Sequence, residues 1–449
     1  MSNVSTIFVF DINRTPSSPN PTDEEVQDAK LLYYYPEHRE VEERRSHLGL
    51  IEGLLVLLAS FTKHKIDFLR TKLFTTTISE WCDGIYLVVC FKNEENSWNE
   101  MAEYSHHWKH YITKVVLENA KKVFELLYGP LYDLLHASGG NASSNVEHVR
   151  RAFEDFLPSF ITKAAGDSFH ILNIWNASYK SHAGALSALD AQALIADLCS
   201  EFEAVHDYIF IHNKEVLHSS LDLDNMLALY TYLIKHQGSV SCQHPNAITD
   251  VQVSKQRELC MKPLADGEGV GEAHIMKSES GDAFSPKVHI NGQAYHLGVV
   301  CMGDLYLVLL LHCDDVMFTL SSIKEYLSGA PNGMAALLKS LSHTPVASKL
   351  RTVSLNSVTK TIRSVGYNDV DEKALRELQI IRGIHHLIES SLEVITRMHV
   401  RSKQGWCSAK VSNGREMYLT LPSESLSLTD VSGAFNDFVK TFLGGIYFI

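Results

Sequence analysis

The sequence lacks cysteine pairs of the kind that hold a metal or form a redox couple. Its eight cysteines are Cys82, Cys90, Cys199, Cys242, Cys260, Cys301, Cys313 and Cys407. They are scattered, with no C-x-x-C, and most sit in apolar runs. That excludes a zinc knuckle and points to reduced, structural thiols in a cytosolic protein. Long hydrophobic runs are also missing. A spanning helix needs about 18 apolar residues, and runs such as Leu305 to Leu311 fall far short. Membrane contact is therefore expected to be peripheral or through a partner. The opening MSNVSTIFVFDINR has no positively charged region ahead of its apolar run, and that run is too short for a signal peptide. Positive charge is in deficit, with 40 Lys+Arg against 53 Asp+Glu and a net charge of -13. Non-specific nucleic-acid binding by the whole chain is thus not expected, although a local basic patch stays possible.

Catalytic signatures are equally scarce. There is no Walker motif and no G-x-S-x-G elbow. Asp266 to Glu272, DGEGVGE, has three glycines but neither the preceding strand nor the following helix that a phosphate cradle needs, so it reads as a loop. His106 and His110 stand four apart near a helix start, a spacing that can share a metal, but without an H-E-x-x-H glutamate or a third ligand they read as solvated or capping residues. Asp222 with Asp224, and Asp314 with Asp315, fit cap or turn positions better than acid–base pairs. The sequence predicts no cofactor, no metal site and no covalent chemistry.

What is present is an ordinary globular balance over 449 residues, 45% hydrophobic and 21% charged, enough for two to four domains. The chain is organised around Leu31 to Thr62. Leu31 to Tyr35 has strand propensity, and Pro36 ends it. Glu40, Glu42 and Glu43 place negative charge at a helix start. From Leu48 the apolar residues come at helical spacing over a sector wider than one stripe, as in a helix covered on more than one side. Around it, Ile7 to Asp11, Asp67 to Ile78 and Gly84 to Lys92 read as strands, with Asn13 to Glu25 a loop. His106 to Leu135, broken at Gly129-Pro130, and Val146 to Ala165 read as helices.

The pattern then restarts twice. Leu186 to Val205 is a helix, and Tyr208 to His212 with Glu215 to Ser219 form a hairpin. A helix follows Asp222. His236 to Pro286 lacks structural signals and reads as a long loop. Lys287 to His296, Leu297 to Met302 and Leu305 to His312 are strands, and Ser321 to Leu341 is helical with a break at Gly329 to Gly333. In the third round Leu350 to Leu355 and Val358 to Val365 are strands and Glu372 to Ser390 a helix. Leu392 to Ser402, Trp406 to Val411 and Glu416 to Leu421 are strands, with Asn413-Gly414 a strong hairpin turn. Ser427 to Leu443 closes as a helix. A unit of strand, strand, helix, three strands, helix therefore recurs three times, an α+β arrangement of mostly antiparallel sheets with helices on their faces.

Trp81, Tyr86, Trp98, Tyr104 and Trp108 cluster around the first sheet and are read first as core, second as interface aromatics. LLYYYP followed by the EERRSHLGLIEGLLVLLASFT helix resembles the start of the Ccz vacuolar-fusion family, the longin-domain subunit of the Mon–Ccz complex. The likeness continues through GIYLVVCF, ELLYGPLYDLL, YIFIHNKEVLHSSLDLDNMLALYTYLIKH, REMYLTLP and the GGIYFI tail. The Gln243 to Pro286 region and the start of the third unit depart from the family pattern. The resemblance implies three longin domains, over residues 1–166, 167–345 (with a flexible loop at 237–286) and 346–449. It also implies a guanine-nucleotide exchange factor that activates the late-endosomal Rab with a Mon-type longin partner. Cytoplasmic location with recruitment to endosome and lysosome or vacuole membranes follows, through an early-endosomal Rab, phosphoinositides and a third scaffold subunit. By position, Arg44, His47, Leu48, Ile51, Glu52 and Leu55 are expected in or beside the shared interface. The alternative is a longin-type tether or adaptor without exchange activity.

Overall fold

The computed structural model describes residues 4–16, 18–61, 66–93, 100–136, 142–166, 177–179, 185–235, 273–276, 285–329, 333–341, 351–365, 367, 372–391, 394–403, 405–421 and 426–443. The chain divides into two compact units. The first takes in Met1–Ser168, Ala228–Cys260 and Lys277–Leu297, the second Phe169–Leu227, Met261–Met276 and Gly298–Ile449.

The first unit opens with β1 (Val4–Asp11), in which alternate residues face opposite ways. An eight-residue helix, α1 (Asp23–Lys30), follows where the sequence reads as loop. Its signal is a capping box: the Thr22 hydroxyl accepts from Glu25 N–H while the Glu25 carboxylate accepts from Thr22 N–H. Next come β2 (Leu31–Tyr35), α2 (Val41–Phe61), β3 (Phe68–Arg70), β4 (Phe74–Cys82) and β5 (Ile85–Lys92). The single strand expected at Asp67 to Ile78 is thus two, joined by a turn in which Thr71 bonds Phe74. The β4–β5 turn needs Gly84, at φ +78, because a Cβ there would meet Asn13 Nδ2 at 2.1 Å.

The sheet order is β2-β1-β5-β4-β3. On one face lie α3 (Glu100–Tyr128), the short α4 (Leu131–Leu135) and α5 (Ala142–Gly166). Ile7, Val9, Leu87 and Val89 pack there with Phe124, Phe153 and Phe156, and Trp81 is buried in the same core. The opposite face carries Phe8, Phe10, Ile78 and Val88 beneath α2.

The second sheet contains β7 (Val205–His212), β8 (Glu215–Ser219), β10 (Lys287–Ile290), β11 (Gln293–Met302) and β12 (Leu305–Leu311), in the order β10-β11-β12-β7-β8. A two-residue strand, β6 (Ser178–Tyr179), precedes them, and α6 (Ala185–Glu201) leads into β7. Helix α7 (Leu223–Tyr230) runs on into a π turn at Thr231–Lys235. The expected long loop contains one described strand, β9 (His274–Ile275), which pairs with Val300 and Cys301 of β11. The strand break expected at Leu297 lies instead at Asn291-Gly292, both at positive φ. β11 runs straight through Gly298, whose missing side chain leaves room for Leu320: a Cβ would approach Leu320 Cδ2 to 2.5 Å. Helices α8 (Val316–Gly329) and α9 (Met334–Leu341) follow.

The third sheet is built from β13 (Arg351–Asn356), β14 (Thr361–Val365), β15 (Arg397–Ser402), β16 (Gly405–Ser412) and β17 (Arg415–Leu421), with α10 (Glu372–Ser390) after β14 and α11 (Leu428–Leu443) at the end. Its order is β15-β16-β17-β13-β14, with β6 added in parallel to β14. Asn413 and Gly414 both adopt positive φ, as the two-residue hairpin requires.

Numbered within each sheet, the five principal strands stand in one order, 2-1-5-4-3, in all three sheets. In each, a helix (α2, α7 or α10) connects the second strand to the third. The shared element order visible in sequence is thus also a shared topology.

Candidate functional site

Helix α2 is the element on which the sequence reading places the interface. Glu42 and Glu43 occupy its first turn, and its 21 residues carry two apolar stripes on opposite sides. The inner stripe is Leu48, Ile51 and Leu55. Leu48 is 0% exposed and Ile51 3%, in one core with Phe8, Phe10, Tyr34, Ile78 and Val88, and half-buried Leu55 packs against it. The outer stripe is Leu50, Leu57 and Phe61, exposed by 55%, 53% and 78%. Gly53 lies among them, and a Cβ added there would meet nothing within 4 Å. Residues seven apart, as Leu50 and Leu57 are, return to the same helix face.

The polar residues expected in the interface are held by their own domain. Arg44 Nε donates to the Arg39 carbonyl at 2.9 Å, and its guanidinium lies 5.5 Å from the centre of the Tyr34 ring. His47 Nδ1 and the Tyr34 hydroxyl are 2.7 Å apart. Burial lowers the His47 pKa, with nearby Glu43 opposing and Arg39 reinforcing the shift, so the neutral ring is favoured. Its Nδ1 then accepts a hydrogen bond from the Tyr34 hydroxyl. Glu52 pairs with Lys30 of α1. Arg45 binds α1 as well, through Asp28 at 2.6 Å and Glu24 at 2.8 Å, and holds the Asp28 carboxyl below its ordinary range. These contacts lash α1, which has no buried residue, to the first half of α2.

The structure therefore brings Arg44, His47, Leu48, Ile51, Glu52 and Leu55 together on the inner and flanking sides of α2. The residues that reach solvent as apolar surface are Leu50, Leu57 and Phe61; Leu57 and Phe61 belong to the wide apolar sector read from the sequence, but none of the three is among the six residues expected at the interface. Their signal was available in the seven-residue spacing and in Gly53 between them.

The other candidates resolve as local structure. Asp222 caps α7, its Oδ1 accepting from Asp224 and Asn225 N–H at 3.1 and 3.0 Å. Asp315 caps α8 by accepting from Phe318 N–H at 3.0 Å. The side chains of Tyr104, His106, Trp108 and His110, residue Trp98, and the glycines of Asp266 to Glu272 lie outside the described residues. Among the described residues, no helix is long and apolar enough to cross a membrane.

Comparison with known proteins bears on this domain. Residues 6–129, from β1 to the end of α3, match the family model described as the first longin domain of INTU, CCZ1 and HPS4. The matched residues take in the first sheet from Thr6 onward and the helix α2. The chain is also similar to a vacuolar fusion protein CCZ1 homolog from Xenopus tropicalis, 22% identical over 213 residues. That match takes in 46% of this chain and 44% of the relative, so the chain spans less than half the length of the curated relative it matches. Both findings agree with the Ccz-type resemblance. The stripe of Leu50, Leu57 and Phe61 lies within the matched residues, on the helix between the second and third strands of the first sheet.

Proposed function

We propose that this chain is one subunit of a heterodimeric guanine-nucleotide exchange factor of the Mon–Ccz type, acting on the late-endosomal Rab in endosome maturation and lysosome or vacuole fusion. The observation that carries the proposal is the exposed apolar stripe of α2 within the residues that match the longin family model. An apolar stripe of this kind on one helix face fits a partner helix or sheet. In this reading a Mon-type longin subunit covers Leu50, Leu57 and Phe61. Leu48, Ile51 and Leu55 support the helix from beneath, while Arg44, His47 and Glu52 border the joint surface on which the Rab docks. The sheets at 205–311 and 351–421 are two further longin domains, read from their common strand order. An early-endosomal Rab, phosphoinositides and a scaffold subunit recruit the complex from the cytoplasm. Exchange then needs no nucleophile or metal of the subunit's own: the complex binds the nucleotide-poor Rab better than the loaded one and so shifts that equilibrium.

The test is release of a fluorescent guanine nucleotide from a panel of purified Rabs, using the chain co-expressed with its Mon-type partner and each chain alone. Acceleration for the late-endosomal Rab only with both chains present is the expected result. Leu57→Asp with Phe61→Asp abolishes it by preventing assembly. A complex that forms and accelerates no Rab overturns the exchange reading in favour of a tether or adaptor.

A further inference from the structure

The connection between β1 and α1 reads Arg-Thr-Pro-Ser-Ser-Pro over residues 14–19, and three of the chain's 12 prolines fall between Pro16 and Pro21. Thr15 and Ser18 are each followed by proline, and both are exposed. A residue before proline is pushed towards extended backbone, and the proline itself offers no N–H. An exposed hydroxyl on an extended stretch just ahead of proline is the substrate form that a proline-directed protein kinase accepts. Thr22, by contrast, has its hydroxyl engaged as the cap of α1.

The same segment begins at a guanidinium that lacks an acceptor. Arg14 Nη1 is buried and, among the described residues, has no hydrogen-bond partner. A guanidinium carries five donors and accepts nothing, so a buried donor of this kind is one that an oxyanion can satisfy. Arg150 of α5 reaches the same corner. Its Nε and Nη2 donate to the Leu32 and Leu31 carbonyls at 3.0 and 3.1 Å, and Leu31 stands opposite Phe10 near the end of β1. Burial lowers the Arg14 pKa, Arg150 reinforces the shift and Asp11 opposes it. The carboxylates at this corner face other donors as well. Asp11 Oδ1 accepts from Asn13 N–H at 2.9 Å, and exposed Glu147 is shared between Arg150 at 3.9 Å and Arg151 at 3.6 Å.

We propose that Thr15 and Ser18 are phosphorylated by a proline-directed kinase and that Arg14, beside Arg150, receives the phosphoryl group, which fastens the β1–α1 connection to the first sheet. In the transfer the hydroxyl oxygen attacks the γ-phosphorus of ATP. Its proton passes to the kinase's base, a new O–P bond forms, the bond to the bridging oxygen of ADP breaks, and ADP leaves. The product carries a charge of about -1.5 to -2 and three strong acceptor oxygens. Arg14 gives up no hydrogen bond at Nη1 in swinging towards it, and gains a charge-assisted, bidentate one. The added anion also relieves the repulsion between the two guanidinium groups. This inference concerns the connection ahead of α1 and stands independently of the exchange reading.

The test incubates the full chain with ATP and a purified proline-directed kinase, beside a peptide of residues 11–24, and maps the phosphate by mass spectrometry. Phosphate on Thr15 and Ser18 of the full chain is the expected result. It slows hydrogen exchange over residues 11–18 about tenfold, the factor that one charge-assisted hydrogen bond supplies. Phosphorus NMR places the phosphate pKa below that of the phosphorylated peptide. In Arg14→Gln the phosphate is still incorporated, but exchange stays fast and the phosphate pKa returns to the peptide's value. A peptide that is phosphorylated while the full chain is not, or no phosphate on either, overturns the modification site. Exchange and phosphate pKa that are the same in the phosphorylated wild-type chain and in phosphorylated Arg14→Gln overturn the receiving role of Arg14.

Discussion

Leu48 and Leu57 lie on one helix and have the same chemistry, yet their substitution has opposite consequences. Leu48 is wholly buried over the first sheet. Leu48→Ala removes packed methyl groups and leaves a cavity, so it costs about 2–5 kcal/mol. Faster hydrogen exchange across α2 and β1 reads that loss. Leu57→Ser changes an exposed position and alters the isolated chain by less than about 0.5 kcal/mol. In the proposed heterodimer it weakens association, which analytical ultracentrifugation of the co-expressed complex measures. His47 supplies a pH dependence. Burial lowers its folded pKa, so the unfolded chain takes up the proton more readily. The stabilisation is therefore complete above the ordinary imidazole value of about 6.5 and is lost as pH falls through the lower folded value. His47→Gln flattens the thermal stability of the first domain over that acidic window, leaving the curve above neutrality unchanged in shape.

Among the elements, α1 shows how a short signal decides local structure. Eight residues with no buried side chain make a helix because Thr22 and Glu25 satisfy each other's backbone donors and because Arg45 and Glu52 hold it to α2. Thr22→Ala removes the capping box at a cost of about 1 kcal/mol, roughly a fivefold rise in hydrogen exchange of the α1 amides. Unchanged exchange would assign the helix to the Arg45 and Lys30 ion pairs alone. The sequence reading took this segment for loop because its prolines and serines outweighed a four-residue cap. It placed α2, α10 and α11 within two residues at nearly every end, since their apolar period is long and regular. The division expected between His296 and Leu297 falls inside β11, which runs on through Gly298 where the missing side chain leaves room for Leu320.

On the scale of the whole molecule, the first compact unit takes in residues beyond the first sheet and its helices. The π turn and β10 belong to the first compact unit, and Tyr232 packs against its core beside α3. His289 of β10 lies 3.5 Å from where a Cβ on Gly129 would stand. A fragment of residues 1–166 is therefore expected to melt on the order of 5 °C below the first domain of the full chain. Calorimetry of the two compares them, and equal melting temperatures would show that residues 228–260 and 277–297 add no stability there. Three rounds of strand, strand, helix, three strands and helix could be read from hydrophobic period and turn residues, because those signals are local. Sequence alone thus determined the element order and the α+β class. The strand order 2-1-5-4-3, the addition of β6 to the third sheet and the exposure of Leu50, Leu57 and Phe61 rest on pairings between distant segments. Period gives the opposing faces of a helix, but only the sheet that covers one of them decides which face is left for a partner.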